Sequence, residues 1–231
     1  MKKYGLIGKP LGHSYSTRLF RELFSQQHID ALYDSYEVDD LEHLPLLDGF
    51  NVTYPYKGSI LSYLTAIDET ARKIGAVNVV KNGVGYNTDY IGFDRSIAGA
   101  LRPNHTQALI LGTGGVAKAI TYALHQRGIA TCSVSHSGHG DMDYLQLTDD
   151  TILQHPLIVN CTPLGMWPNT NTYPDIPYEA IGKQHLLYDV VYNPVLTEFL
   201  RRGQEHGATT INGLQMLQEQ AMEAWRIWNN E

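Results

Sequence analysis

Apolar and polar positions recur with two different periods along the chain. Short apolar or alternating runs, which are typical of strands, occupy residues 4–8, 31–38 and 49–53. Between the first two of these, Leu19, Leu23 and Phe24 recur at helical spacing and predict a helix over residues 16–27. A further helical pattern over residues 89–101 ends before Pro103, where we expect a domain boundary. This alternation of strands and helices predicts an α/β fold.

A hairpin is predicted within residues 74–89. Asn82 and Gly83 both tolerate a positive φ and are a strong signal for a two-residue turn. The register that this turn imposes pairs Lys81 with Val84, Val79 with Tyr86, and Asn78 with Asn87. Asp89 lies two residues beyond Asn87, so Asn78, Asn87 and Asp89 should share one face of the hairpin. Such a polar cluster is either solvated or built to hold a ligand.

The second half of the chain restarts the alternation. Near-continuous apolar runs, typical of buried parallel strands, lie at residues 107–112, 129–135, 157–163, 185–194 and 208–211. Helical patterns separate or follow them at residues 114–128, 195–207 and 212–228. The last helix carries apolar side chains at helical spacing, and we expect it to fold back onto the first domain.

Composition narrows the class of protein. The chain has 231 residues, of which 43% are hydrophobic and 18% charged, with a net charge of -7. This acidic balance gives no support to nucleic-acid or anionic-membrane binding. The apolar run after Met1 is broken by Lys9 and Pro10, too early for a signal peptide, and no stretch is long enough for a membrane span. Cys132 and Cys161 have no C-x-x-C partner, so neither a disulfide framework nor a cysteine zinc site is expected. We therefore expect a soluble protein of the reducing cytoplasm.

Two stretches carry candidate chemistry. Gly112-Thr113-Gly114-Gly115-Val116-Ala117 follows a predicted buried strand and opens a predicted helix, as the pyrophosphate loop of a dinucleotide-binding unit does. The alternative is a glycine-rich turn packed closely for steric reasons. In "GFNVTYPYKG", a polar face of Asn51 and Thr53 leads to the single cation Lys57. This lysine is either a solvated residue after the end of a strand or a residue that takes part in the chemistry of a site.

Several motifs together resemble one known family. "GLIGKPLGHSYS", "FNVTYPYK", "IGAVNVV", "GYNTDYIGF", "LGTGGVAKA", "NCTPLGMWP", "DVVYNP" and "NGLQMLQEQA" occur in this order and are similar to shikimate dehydrogenases over essentially the whole chain. The resemblance implies an α/β enzyme with two domains separated by a cleft. A substrate domain with a mixed sheet, residues 1–102, would be joined by the C-terminal helix 213–229, and a Rossmann-like NADP domain would span residues 103–212. The enzyme, a monomer or homodimer, would reversibly reduce 3-dehydroshikimate to shikimate in aromatic amino-acid biosynthesis.

The resemblance also assigns roles to residues. Lys57 matches the catalytic lysine of the family and Asp89 its acidic partner. The substrate contacts would be Ser14, Ser16, Thr53, Asn78, Asp89, Tyr192 and Gln220. The cofactor contacts would be Gly112, Gly114, Gly115 and Val116 at the pyrophosphate, with Val190 and Gly213 beside the nicotinamide. Gly213 and Gln220 are expected on one face of the last helix, about 10 Å apart.

Some positions depart from the family. Thr17 and Phe20 stand where the family usually has proline and histidine, and Val79 replaces a usual threonine. All three are expected to be scaffold positions. The connections around residues 39–48 and 138–156 are shorter than usual, which we interpret as loop deletions.

Cofactor choice is expected to depend on Ser135, His136 and Ser137. They stand where the family usually has Asn-Arg-Thr, at the end of the strand that distinguishes NAD from NADP. Without an acidic residue here nothing repels a 2′-phosphate, but histidine lacks the permanent charge and fork of arginine. We expect NADP to be preferred over NAD, but by a smaller margin than an arginine would give, so that NAD could also be used. The preference for NADP should become stronger as the pH falls. His136 and His139 have no third ligand, so no metal is expected.

Two alternatives stay open at this point. One is a quinate/shikimate dehydrogenase that accepts an extra hydroxyl group. The other is a catalytically silent relative that binds the ligand and regulates. The presence of both Lys57 and Asp89 argues against the silent relative, because a binding protein has no need of a proton-transfer pair.

Overall fold

The chain forms two compact units. A computed structural model describes residues 1–12 and 14–229, and it divides the chain into Met1–Gly92 with Leu217–Glu231, and Phe93–Met216. The division falls inside one helix, whereas the sequence places a boundary near Pro103. The reason lies in Phe93, which is fully buried and packs edge-on against Tyr188, with ring centroids 4.9 Å apart. The end of this helix therefore belongs with the second unit.

The first unit is built on a six-stranded mixed sheet in the order β2-β1-β3-β5-β6-β4. Its strands are β1 (Lys2–Gly8), β2 (Ala31–Glu37), β3 (Gly49–Val52), β4 (Ala66–Ile67), β5 (Val79–Lys81) and β6 (Val84–Tyr86). The helices that begin here are α1 (Tyr15–Gln26), α2 (Glu69–Ile74) and α3 (Asp89–Ile97). β1 runs parallel to β2 and β3, whereas β5 runs antiparallel to β3 and β6. The mixed sheet expected for this part of the chain is confirmed.

The predicted hairpin is confirmed in register. Asn82 and Gly83 have φ values of 50° and 75°, as a two-residue turn of this kind requires. Val79 pairs with Tyr86, and Lys81 with Val84. The local turn chemistry thus fixes which side chains of β5 and β6 share a face.

The second unit contains a five-stranded parallel sheet in the order β11-β10-β9-β7-β8. Its strands are β7 (Gln107–Leu111), β8 (Ala130–Val134), β9 (Leu157–Asn160), β10 (Leu186–Asp189) and β11 (Thr209–Ile211). Its helices are α4 (Gly115–Gln126), α5 (Asp149–Gln154) and α6 (Glu198–Glu205). The strand order reverses between β7 and β9, and in such sheets ligands bind at the carboxyl ends of the strands at this point.

The last helix, α7 (Leu214–Asn229), packs on the first unit through its C-terminal part, as expected. Trp228 stacks on Tyr4 with ring centroids 4.8 Å apart, and Trp225 meets the same ring edge-on at 5.6 Å. Because α7 begins at Leu214, Gly213 lies just before it. The expectation that this helix includes Gly213 is therefore wrong. Within the described residues, no helix is long and apolar enough to cross a membrane.

Candidate functional site

A lysine and an aspartate form a partly buried ion pair in the first unit. Lys57 lies in the turn after β3, and Asp89 is the first residue of α3. The Nζ atom of Lys57 donates to Oδ2 of Asp89 at 2.7 Å, and the side chains are 15% and 6% exposed. The backbone carbonyl of Lys57 also accepts from the amide of Val77 at 2.8 Å, which fixes the turn. The structure therefore holds one ammonium group in place with little access to water.

Asn78 connects this pair to the C-terminal helix. Its Nδ2 atom lies 2.9 Å from Oδ1 of Asp89 and 3.3 Å from Oε1 of Gln220. Its Oδ1 atom accepts from the amide of Thr88 at 2.7 Å. Asn78 is 2% exposed and Gln220 9%. Residues from three separate parts of the sequence thus meet around one carboxylate.

Asn87 has a different place from the one that the sequence predicts. Its Oδ1 atom accepts from the backbone amides of Asp89 and Tyr90 at 3.0 and 3.4 Å, and its Nδ2 donates to the carbonyl of Ala76. The side chain therefore caps the start of α3 instead of joining the polar face. This cap holds Asp89 at the helix N-terminus, so Asn87 supports the site without facing it.

Two supporting residues, Thr88 and Asn51, had been assigned no role in the site from the sequence. Thr88 is fully buried, and its hydroxyl lies 3.0 Å from Nδ2 of Asn78. Asn51 donates from Nδ2 to the backbone carbonyl of Asn78 at 3.2 Å and accepts from the hydroxyl of Tyr33 at 2.8 Å. A strand asparagine that is 6% exposed needs partners, and its position on the polar face before Lys57 was the signal available in the sequence.

The other predicted substrate residues of the first unit lie beyond two parallel strands. Ser14 and Ser16 follow β1, and Thr53 follows β3, as Lys57 does. Because β1 and β3 are parallel neighbours, their carboxyl ends meet at the same edge of the sheet. Ser14 is the N-cap residue of α1 and makes no side-chain capping bond, so its hydroxyl has no such role to fulfil. His13, within the family's serine motif, lies outside the described residues.

The glycine loop of the second unit has the geometry that a pyrophosphate needs. Gly112 has a φ of 107°, a value that side-chain-bearing residues rarely adopt, so the tight turn after β7 requires glycine. Gly114 caps α4, whose first residues are Gly115 and Val116, and a Cβ atom placed on Gly114 would meet no atom within 4 Å. As a glycine, Gly114 has no side chain with which to cap this helix start, so its N–H groups can serve an anion. These residues therefore fit a bound dinucleotide.

The turn after β10 carries the residues predicted beside the nicotinamide. The amide of Gly213 donates to the carbonyl of Val191 at 3.1 Å. A Cβ atom on Gly213 would lie 2.1 Å from the carbonyl oxygen of Val190, so only glycine fits there. Val190 and Gly213 are thus in direct backbone contact, and Tyr192 follows in the same turn. The structure brings Val190 and Gly213 together, and Tyr192 lies two residues after Val190 in sequence.

Comparison with known proteins decides the family. A model of the shikimate dehydrogenase substrate-binding domain matches residues 6–80. A shikimate dehydrogenase (NADP(+)) of Caldicellulosiruptor saccharolyticus is 36% identical over 257 residues, covering 99% of this chain and 92% of that protein. The chain belongs to the shikimate dehydrogenase family.

Solved structures of this family share the fold over the whole chain. A shikimate 5-dehydrogenase of Thermus thermophilus, in complex with NADP(H) and shikimate, has a TM-score of 0.87 at 26% identity, covering 100% of this chain and 94% of that one. A shikimate 5-dehydrogenase of Listeria monocytogenes, in complex with shikimate and NAD, has a TM-score of 0.83 at 27% identity, covering 100% and 92%. The predicted Rossmann-like second domain is confirmed.

The segment of residues 135–137, which the sequence predicts to select the cofactor, follows β8 and is succeeded by an unexpected acid, Asp141. The hydroxyls of Ser135 and Ser137 lie 2.6 Å apart, and the ring of His136 stacks on Tyr144 with centroids 4.3 Å apart. The loop also returns Asp141 to β8, where its carboxylate accepts from the amide and hydroxyl of Ser133 at 2.8 and 2.7 Å. The hydrogen bonds from Ser133 lower the pKa of Asp141, so this carboxylate is charged. The segment of residues 135–137 alone gave no sign of it.

Proposed function

We propose that this chain catalyses the reversible reduction of 3-dehydroshikimate to shikimate with NADPH, in aromatic amino-acid biosynthesis. Membership of the shikimate dehydrogenase family supports the reaction. The observation that carries the assignment of residues is the partly buried pair of Lys57 and Asp89, held at 2.7 Å beside Asn78 and Gln220. A catalytically silent binding protein has no need of such a pair.

Lys57 supplies the proton in this mechanism. The reduced nicotinamide, when bound, would supply the hydride for the ketone carbon. The ammonium of Lys57 donates its proton to the ketone oxygen, so that hydride and proton together complete the alcohol. In the reverse direction the neutral amine accepts the hydroxyl proton as the hydride leaves. Lys57 is therefore the acid in one direction and the base in the other.

Asp89 orients the proton donor. One of its carboxylate oxygens accepts from Lys57, and the other from Nδ2 of Asn78 at 2.9 Å. Asn87 fixes its backbone by accepting from its amide at 3.0 Å. With both oxygens and the backbone held, the ammonium has one preferred position, which is what proton transfer to a bound ketone requires. We assign Asp89 this positioning role as well as a contact with substrate.

Substrate recognition is assigned to groups that match a hydroxylated carboxylic acid. Ser14 and Ser16, at the start of α1, offer hydroxyls and nearby helix N–H groups for the carboxylate. Thr53 follows the neighbouring parallel strand, at the same sheet edge. Asn78 and Gln220 offer amide groups to the ring hydroxyls. The family resemblance supports these roles and the arrangement of the first unit is compatible with them.

NADP is the proposed cofactor, selected by a narrower margin than an arginine would give. Ser135 and Ser137 can donate hydrogen bonds to a 2′-phosphate, and His136 occupies the place of the arginine. The charged carboxylate of Asp141 repels a phosphate near β8, which further reduces the preference for NADP over NAD. Use of NAD is therefore part of the proposal. We also propose a cytoplasmic location, because both cysteines are free thiols.

Initial rates with shikimate and quinate, each with NADP and NAD, test this function. We expect shikimate to be oxidised, quinate to be a poor substrate, and NADP to have the higher kcat/KM. Efficient oxidation of quinate would favour the broader dehydrogenase. Tight binding of shikimate without oxidation by either cofactor would establish the silent relative and refute the proposal.

A further inference from the structure

A buried polar network lies at the carboxyl ends of β9 and β10 in the second unit. It consists of Asn160, Asp189 and Thr197, whose side chains are all 0% exposed. The Nδ2 atom of Asn160 donates to Oδ1 of Asp189 at 3.0 Å, and the hydroxyl of Thr197 donates to Oδ2 at 2.6 Å. Buried polar groups are costly unless they are satisfied, and an apolar core could serve stability alone. The location of the network therefore needs its own explanation.

One end of the network holds the strand end beside the glycine loop. Oδ1 of Asn160 accepts from the amide and hydroxyl of Thr162 at 3.0 and 2.6 Å. A Cβ atom placed on Gly112 would lie 3.3 Å from the methyl group of Thr162 and 3.4 Å from the backbone of Cys161. These two residues therefore pack directly against Gly112. Asn160 thus sets the surface against which the predicted pyrophosphate turn packs.

The other end holds the turn predicted beside the nicotinamide. Oδ1 of Asp189 also accepts from the amide of Val191 at 3.0 Å, which closes a local turn over Val190. The carbonyl of Val191 accepts from Gly213, and the carbonyl of Val190 abuts Gly213 directly. The orientation of this turn therefore depends on the carboxyl group of Asp189.

We propose that Asp189, through its hydrogen bonds to Asn160, Val191 and Thr197, is a positioning residue for the cofactor: it fixes the turn of Val190 to Tyr192 relative to the glycine loop. This inference rests on the proposed function. The network joins the two strand ends on which the cofactor site is built, so its loss displaces the binding surface without removing a direct contact.

Hydrogen bonding, more than charge, carries this role. The partners of Asp189 are uncharged: an amide side chain, a backbone N–H and a hydroxyl. Burial raises the pKa of Asp189 to about 7, and the other ionisable groups that interact with it electrostatically include Cys161, Tyr178 and Tyr188, whose pKa values burial also raises. A protonated carboxyl keeps Oδ1 as the acceptor for Asn160 and Val191, while its O–H can donate to Thr197. Asparagine at this position reproduces that neutral arrangement.

Steady-state kinetics of Asp189→Ala and Asp189→Asn test the proposal. We expect Asp189→Ala to raise KM for NADP by about tenfold, since a small displacement of a binding surface costs this much or more. Asp189→Asn should return KM close to the wild-type value. Tyr188→Phe is the matched control, because it removes a buried hydrogen bond to Ser96 from the opposite face of β10. It should lower the melting temperature without changing KM for NADP.

Each outcome separates this inference from the proposed function. A wild-type protein that neither binds NADP nor oxidises shikimate would refute the function itself. A fully active wild type, with a folded Asp189→Ala variant of unchanged KM, would overturn the positioning role alone. An Asp189→Asn variant as impaired as Asp189→Ala would also overturn it, because hydrogen bonding would then not suffice. If Asp189→Ala does not fold, Asn160→Ala makes the same test from the other end of the network.

Discussion

Removal of the ammonium group of Lys57 should abolish most of the turnover while leaving substrate binding nearly intact. A positioned proton donor contributes about 10²–10⁴ in rate, or roughly 3–5 kcal/mol of activation free energy. We therefore expect Lys57→Ala and Lys57→Met to lower kcat by that factor, with little change in KM for shikimate. Methionine retains most of the apolar stem, so it separates the loss of the ammonium from the loss of packing.

The same change should also destabilise the protein, and the structure bounds the effect. Exposed ion pairs contribute about 0–1 kcal/mol, whereas breaking a buried pair costs about 3–5 kcal/mol. With 15% and 6% of the side chains exposed, Lys57 and Asp89 lie nearer the buried limit. Asp89 keeps its hydrogen bond from Asn78 at 2.9 Å, which offsets part of this cost. A second substitution, Asp89→Asn, should therefore recover stability in Lys57→Met but not activity.

Initial-rate kinetics at a temperature where every variant is folded give the required separation. Lys73→Ala is the matched control, because it removes a lysine of the same unit from an exposed pair with Glu69 at 2.7 Å. This control should keep both kcat and KM. Addition of a small primary amine should restore part of the kcat of Lys57→Ala by supplying the missing proton donor. Turnover of Lys57→Met within a few-fold of the wild type would refute the assignment.

Three further substitutions test the second unit. Gly114→Ala should leave the melting temperature unchanged but raise KM for NADP in kinetic assays. The added Cβ meets no protein atom within 4 Å, yet it points into the space proposed for the phosphates. Equal losses of stability and of NADP binding would contradict this. His136→Arg should lower KM for NADP far more than for NAD, and a clear NAD preference unchanged in this variant would refute the selecting role. The pKa of Asp189 is raised to about 7 from an ordinary 3.8, so the folded state binds the proton of this carboxyl group more tightly than the unfolded state does. The contribution of Asp189 to the free energy of unfolding therefore falls as the pH rises from about 4 to about 7, by up to about 1.4 kcal/mol per pH unit. Urea unfolding across this range should show that slope in the wild type and a smaller one in Asp189→Asn, and identical slopes would contradict the expectation.

Local features of the sequence determined the elements and one register. The Asn82-Gly83 turn fixed the pairing of β5 with β6, because two residues that accept positive φ leave one two-residue loop available. The apolar runs of the second half identified the parallel strands, and the glycine pattern after β7 identified the loop before α4. Where local preference and packing compete, boundaries moved: the predicted strand over residues 185–194 ends at Asp189, whose side chain accepts from Val191 and turns the chain.

The site needed contacts that no local pattern contains. Asn78 and Gln220 are 142 positions apart in sequence, and their hydrogen bond exists because the aromatic side chains of α7 pack on the first unit. Asp141 reaches β8 because a loop returns to the strand, and spacing alone does not predict where a loop returns. Lys57 and Asp89 could be proposed as partners from a family resemblance. Their distance and burial, however, depend on how β5 and β6, the strands of the hairpin between them in sequence, pair within the sheet. Sequence thus determined the chemical groups and the regular elements, whereas the hydrogen-bond partners of each buried group were decided by long-range packing, which alone determines where water is excluded.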